Sequence, residues 1–163
     1  MQFPSIFTGI VALAGVVFSS GALLAAEPLR YGPPLDLKTA KQVMAAAEAK
    51  AVEQGWPVVI AIVDSGAHLV LLQRLDGTQL GSIEIAQQKA ITAAMFRKPT
   101  KFWEDRIAKG GVDLKLLKLN GFPMEGGLPI LRDGKVIGAI GVSGVTSTQD
   151  AEIGTAGLEA IGR

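Results

Sequence analysis

Residues 125–150 read EGGLPILRDGKVIGAIGVSGVTSTQD, and no other stretch of the chain narrows the choice of fold so far. Asp133-Gly134 separates two apolar runs, 128–131 and 136–140. A two-residue connection between strands favours a type I′ turn, which needs positive φ at both central positions and so selects Asp-Gly. The two runs are therefore expected to be antiparallel neighbours in a sheet. Beyond the turn Gly138, Gly141 and Gly144 recur every third residue, leaving bare backbone that a helix, a partner subunit or a ligand can approach closely.

The rest of the mature chain alternates helix and hairpin signals. Asp36 is placed to cap a helix whose apolar positions Leu37, Ala40, Val43, Met44, Ala47 and Ala51 follow helical spacing, with Gly55 and Pro57 ending it. The β-branched run 58–63, the turn 64–67 and the run 68–75 predict a second hairpin, closed by Asp76-Gly77. A helix is expected from Gly81 or Ser82 to about Phe96, packed through Ile85, Ala86, Ala90, Ala93 and Ala94, and stopped by Pro99. Thr100 can cap a short helix over 101–108, which Gly110-Gly111 breaks. Residues 112–119 alternate unevenly and read as a short helix or strand. The segment 30–34 reads as a Pro/Gly lead-in without periodicity, and Ser147-Thr-Gln-Asp150 as a capping box opening a last helix to about Ile161. Two hairpins with helices between and after them predict an α+β domain, one antiparallel sheet covered by helices, and disfavour a parallel βαβ sheet.

Composition excludes several functions. With no cysteine among 163 residues there is no disulfide framework, thiolate nucleophile or thiolate metal site. Sixteen basic against fifteen acidic residues leave a net charge of +1, and no basic stripe with interleaved aromatics argues for nucleic acid. A neutral small molecule or another protein is the expected partner. The chain has one histidine, too few to build a tetrahedral zinc site by itself. Residues 1–26 contain no Asp, Glu, Lys or Arg and carry an apolar core of signal-peptide length. They are expected to be a signal peptide cleaved near Ala26 or an N-terminal anchor, which places the domain at 27–163 in the periplasm or outside the cell.

Several blocks together carry a family resemblance: Val63-Asp-Ser-Gly-Ala-His68, Arg74-Leu-Asp-Gly77, Gln88-Lys-Ala-Ile-Thr-Ala93, Arg97-Lys-Pro-Thr100, Gly126-Gly-Leu-Pro-Ile130 and Gly138-Ala-Ile-Gly-Val-Ser-Gly144 with Asp150. From about Leu35 to the C-terminus the chain resembles the haem-binding family that includes the GlcG and HbpS proteins, and is similar to the C-terminal domain of PduO-type proteins. The resemblance implies a single profilin-like domain with α/β/α layers around one antiparallel sheet. It also implies haem binding in some members, haem degradation as the activity that gave the family its domain name, and homo-oligomers as large as octamers. Ala67 departs from the pattern, standing where members often have a second glycine.

Candidate site residues follow from both readings. His68 is an axial ligand to haem iron, or else a solvent-exposed turn residue. Lys89 and Thr92 lie on adjacent turns of one helix face; Lys89 either holds a carboxylate such as a haem propionate or pairs with a surface acid. Thr100 is an N-cap, a haem-edge donor, or both. Gly126 and Gly127, with the 138–144 glycines, are expected to form a bare wall for a flat apolar ligand or another subunit. Asp64, Asp76, Glu125 and Asp150 are explained by turn or cap chemistry. The glycines do not match G-x-G-x-x-G, and no Walker A lysine or G-x-S-x-G elbow is present. Three functions stay open: an exported haem-binding oligomer that captures, buffers or senses haem; a haem-degrading enzyme; or an accessory protein without a haem role, such as the partner of a membrane sensor.

Overall fold

The computed structural model describes residues 28–162; the expected leader at 1–26 lies outside the described residues. The elements follow as β1 (Arg30–Tyr31), α1 (Leu37–Gln54), β2 (Val59–Asp64), β3 (Leu69–Arg74), α2 (Ser82–Phe96), α3 (Lys101–Ala108), a 310 helix (Gly111–Lys118), β4 (Gly127–Arg132), β5 (Lys135–Ser143) and α4 (Ser147–Glu159). The strands β4, β5, β2 and β3 are successive antiparallel neighbours in one sheet. Helices cover both faces, giving the expected α/β/α layers.

Local chemistry sets most of these boundaries. Asp133 and Gly134 have φ of 52° and 69°, and Arg132 pairs with Lys135, so the β4–β5 connection is the two-residue turn expected. Asp36 caps α1 by accepting from the Thr39 amide at 2.7 Å, and Gly55 closes it in the left-handed region at φ 67°. At α4 the capping box sits one residue earlier than expected. Thr146 is the cap and Gln149 its reciprocal partner, which leaves Asp150 free for another task. Residues 111–118 form a 310 helix, entered through Gly110 and Gly111 at φ 71° and 60°.

Two further expectations are corrected. The lead-in contains β1, which runs parallel to the start of β5 with Tyr31 beside Val136. Two residues are too few for periodicity to reveal; Tyr31 anchors them by donating its hydroxyl to the Met95 carbonyl at 2.7 Å. Thr100 does not cap α3. Its backbone is already helical and its side chain makes no cap bond; instead its Oγ1 accepts from the Gly127 amide at 2.9 Å and its own amide donates to the Gly127 carbonyl.

The sheet is buried on both sides. Along β2, Val59, Ala61 and Val63 face α2, while Ile60 and Ile62 face the layer built by α1 and α4. Burying such a Val or Ile side chain contributes about 1.5–3 kcal/mol, so β2 and its neighbour β5 form the centre of stability. The α2 side is built from small residues: Ala86, Ala90, Ala93 and Ala94 on the helix meet Ala61, Ala139 and Gly141 on the sheet. A Cβ on Gly141 would run into the Ala86 carbonyl oxygen and come within 2.5 Å of the Ala90 amide nitrogen. Helix α2 therefore lies directly on β5.

Candidate functional site

The close approach of α2 brings five of the six candidate residues together. Lys89 leaves α2 toward the sheet and is 1% exposed. Its Nζ donates to Asp150 Oδ2 at 2.7 Å and to the Val142 carbonyl at 2.9 Å. Gly126 has φ 119°, and a Cβ there would lie 2.8 Å from Lys89 Nζ and 2.9 Å from Asp150 Cβ. Gly127 lies against the Lys89 carbonyl and the Thr100 methyl. Thr92 is fully buried, donating to the Gln88 carbonyl at 2.6 Å and accepting from the Phe122 amide at 2.7 Å.

Lys89 ties α2 to β5 and α4, and Thr100 ties the start of α3 to β4, while Thr92 holds the segment before β4 through the Phe122 amide. Lys89 pairs with a buried acid, not a surface one, because Asp150 projects inward with Ile153, Gly154, Gly157 and Leu158 from the packed side of α4. Asp150 also accepts from the Val145 amide at 3.3 Å, so it holds the turn into α4 as well. Burial pushes the Asp150 carboxyl above its ordinary value, opposed by the hydrogen bond and charge of Lys89. Turn chemistry, expected to explain Asp150, accounts for one of its carboxylate oxygens, which accepts from Val145; the other is taken by Lys89. The readable sign was its helical spacing with Ile153, Gly154 and Gly157, which puts an acid on a core face.

The glycine wall is corrected in the same way. Gly138 backs onto the Val63 carbonyl and the Leu35 side chain, Gly141 onto α2, and Gly144 onto the Pro57 carbonyl. What approaches this backbone is the protein itself. Gly126 and Gly127 are likewise occupied from within, by Lys89 and Thr100.

His68 stands apart. It follows the β2–β3 turn, next to Asp64, whose partner on β5 is Gly138; Lys89 instead bonds Val142, which pairs with Ile60. Four strand residues, about 13 Å along the sheet, separate the two positions. Asp64 Oδ1 accepts from the amides of Gly66 at 2.8 Å and His68 at 3.0 Å, which shapes the turn. The same oxygen lies 3.5 Å from His68 Nδ1, and the imidazole is 83% exposed. A Cβ on Gly66 would come within 2.8 Å of Nδ1, so the ring rests over a glycine. Ala67 takes φ 64°, the left-handed conformation that a glycine adopts without strain. The carboxylate thus lies beside one ring nitrogen while most of the ring faces solvent. Among the described residues no three His, Asp or Glu side chains gather into a further metal site.

The HbpS-like haem degrading protein family matches residues 35–159, from the start of α1 to the end of α4. The chain belongs to that family. Among its relatives, the 15.0 kDa protein of the dhaT–dhaS intergenic region of Citrobacter freundii is 39% identical over 129 residues, covering 77% of this chain and 90% of the relative. The GlcG protein of Escherichia coli K12 is 38% identical over 109 residues, covering 67% and 81%. The crystal structure of a PduOC–haem complex superposes with a TM-score of 0.73 at 30% identity, covering 79% of this chain and 96% of that one. The HbpS-like family and its α/β/α layering are thus those implied by the sequence blocks around His68, Lys89 and Gly126.

Proposed function

We propose that this HbpS-like protein binds haem at its surface, with His68 as an axial ligand to the iron. The observation that carries the reading is the disposition of His68, the one histidine of the chain, exposed to solvent at a turn shaped by Asp64, whose carboxylate lies 3.5 Å from its Nδ1. An imidazole presented in this way is a standard haem ligand, and the haem complex of a relative with the same fold supports the choice of ligand. Haem would supply the iron and a flat apolar surface; the protein's part is to present the imidazole in one orientation. Lys89, Thr92, Thr100, Gly126 and Gly127 lie away from this surface and serve the packing of α2 and α3 against β5, β4 and the segment before it.

The charge-free stretch 1–26 supports export, with cleavage near Ala26 and capture or buffering of haem in the periplasm or outside the cell. The chain carries no flavin or nicotinamide motif that would feed electrons to ring opening, which favours binding over degradation. A difference-spectrum titration of the mature protein with haemin tests the proposal. A saturable Soret band in the wild type that His68→Ala abolishes is the expected result; equal bands in the two proteins refute ligation by His68.

A further inference from the structure

The sheet ends in two unlike edges. At one of them β4 carries Pro129, which has no amide to offer a further strand. The other is β3, which pairs with β2 alone and contains neither Pro nor Lys. A bulge at its start, where Ile62 pairs with Leu71 and Val63 with Leu69, leaves 71–74 as the regular part of that edge. Every residue of β2 except the last is buried, whereas none of β3 is. Among the described residues no hydrogen bond from outside the sheet reaches 69–74.

A groove follows this edge. A cavity of about 270 Å³ lies between α1 and the strand, walled by Lys41, Ala45 and Glu48 on the helix and by the consecutive residues Leu71, Leu72 and Gln73 on the strand. Successive side chains of a strand point to opposite faces, and Leu72 packs toward α2 with Val59 and Ala61. What Leu72 presents on the α1 side is therefore its main chain. A second cavity, of about 590 Å³, continues from Glu48 to Val52, Trp56 and Asp76. The two adjoin, because Glu48 walls both and residues 41, 45, 48 and 52 recur at the spacing of one helix face. Glu48 and Asp76 have no hydrogen-bond or ionic partner among the described residues, so the groove favours a cationic group at this point.

We infer that the groove binds an extended peptide segment of another protein, which adds as a strand to 71–74 and carries alternate apolar side chains with a Lys or Arg opposite Glu48. Main-chain pairing supplies affinity in such a contact, and the alternate side chains supply selectivity. A second copy of β3 is a poorer occupant, because Val70 and Leu71, its apolar side chains on that face, already pack into its own core. A separate strand brings its side chains free. The contact uses neither His68 nor haem.

Selection from a displayed library of random linear peptides on the purified mature protein tests the inference. The enriched peptides are expected to alternate apolar residues around one fixed Lys or Arg, and selection on Glu48→Lys is expected to replace that residue with Asp or Glu. A selected peptide is then synthesised and its affinity read by fluorescence polarisation. N-methylation of alternate backbone amides in one register should weaken binding at least about tenfold and in the other register leave it, because only every second residue of an added strand bonds the edge. Ala45→Trp, which fills the groove from an exposed position on α1, should weaken binding by about as much. An unchanged urea midpoint certifies the fold of each variant, and the Glu48→Lys selection decides the matter if Ala45→Trp does not fold. No enriched peptide, a basic preference that survives Glu48→Lys, or equal effects of the two methylation registers would overturn the inference. So would light scattering in which the wild type associates and Ala45→Trp restores the monomer, which would give the edge to a second copy.

Discussion

Lys89→Met leaves Asp150 buried without its counter-charge and isolates the worth of the pair at the centre of the fold. The two side chains are 1% and 2% exposed and 2.7 Å apart, so neither charge is shared with water. Removing one partner of such a pair costs about 3–5 kcal/mol, most of it the penalty of the stranded charge. The stranded group here can escape by taking up a proton. The Asp150 carboxyl is already raised by burial against the pull of Lys89, and the substitution removes that pull and raises it further. A carboxyl whose folded pKa lies above its unfolded value of 3.8 binds a proton more readily in the folded state. Its contribution to stability is therefore full at low pH and falls as pH rises through that window. Urea unfolding of Lys89→Met should show stability falling by about 1.4 kcal/mol per pH unit, relative to the wild type, once the pH passes the point at which Asp150 ionises in the folded wild type and until it ionises in the folded variant. Adding Asp150→Asn keeps a carbonyl to accept from Val145 while removing the ionisation, so the double variant should lose this slope and recover part of the stability at neutral pH. A Lys89→Met protein within about 1 kcal/mol of wild type at pH 7 would refute the reasoning. So would a loss that does not depend on pH.

Other substitutions probe the close packing and the histidine turn. Gly141→Ala drives a methyl into the backbone of α2 at Ala86 and Ala90 and should cost about 3 kcal/mol or more, read as a fall in thermal midpoint of about 10 °C; an unchanged midpoint would mean that α2 can lift off β5. Gly66→Ala places its methyl against His68 Nδ1 and should displace the ring, weakening haemin binding in the difference-spectrum titration while leaving the urea midpoint within about 0.5 kcal/mol of wild type. Equal haemin affinity in that variant would show that the resting position of the imidazole does not matter. Ala67→Gly relieves a left-handed residue at φ 64°; the relief of about 1–2 kcal/mol exceeds the added entropy of the unfolded glycine, so the variant should be equal to or slightly more stable than wild type, and a clear loss would contradict the assignment of strain to this position.

Much of the fold was legible because its signals are local. Asp133-Gly134 announces its turn through the φ values only those residues accept cheaply, Asp36 and Gly55 bracket α1 by cap chemistry, and the continuous run of branched residues in β2 announces a strand. The misreadings share a different cause. Thr100 has the residue type of a cap and follows Pro99, yet its hydroxyl is claimed by Gly127, 27 positions away in the chain. Asp150 follows Gln149, the reciprocal partner in the capping box, by one residue and is claimed by Lys89, 61 positions away. Serine, threonine and aspartate favour caps because the backbone there offers the nearest unpaired donors; when tertiary packing supplies a closer donor, residue type alone no longer identifies the partner.

The same logic separates scaffold from surface. The glycines at 126, 127, 138, 141 and 144 looked open because a sequence shows the absence of a side chain and not what fills the gap. In the folded protein each gap is taken by backbone or by the stem of a buried side chain, and the alanines of α2 allow that helix to sit as close as it does. A sheet so tightly covered leaves no interior room for a flat ligand as large as a porphyrin. The interior polar pair, Lys89 and Asp150, is 1% and 2% exposed and sealed from solvent. Function must then be sought where the chain breaks its own packing rules: at His68, an exposed imidazole over a glycine beside a strained alanine, and along β3, an apolar edge strand paired on one side alone. The His68 turn and the buried Lys89–Asp150 pair are built from different segments, so the proposed haem ligation can be tested at His68 without disturbing the pair that holds α2 to the sheet.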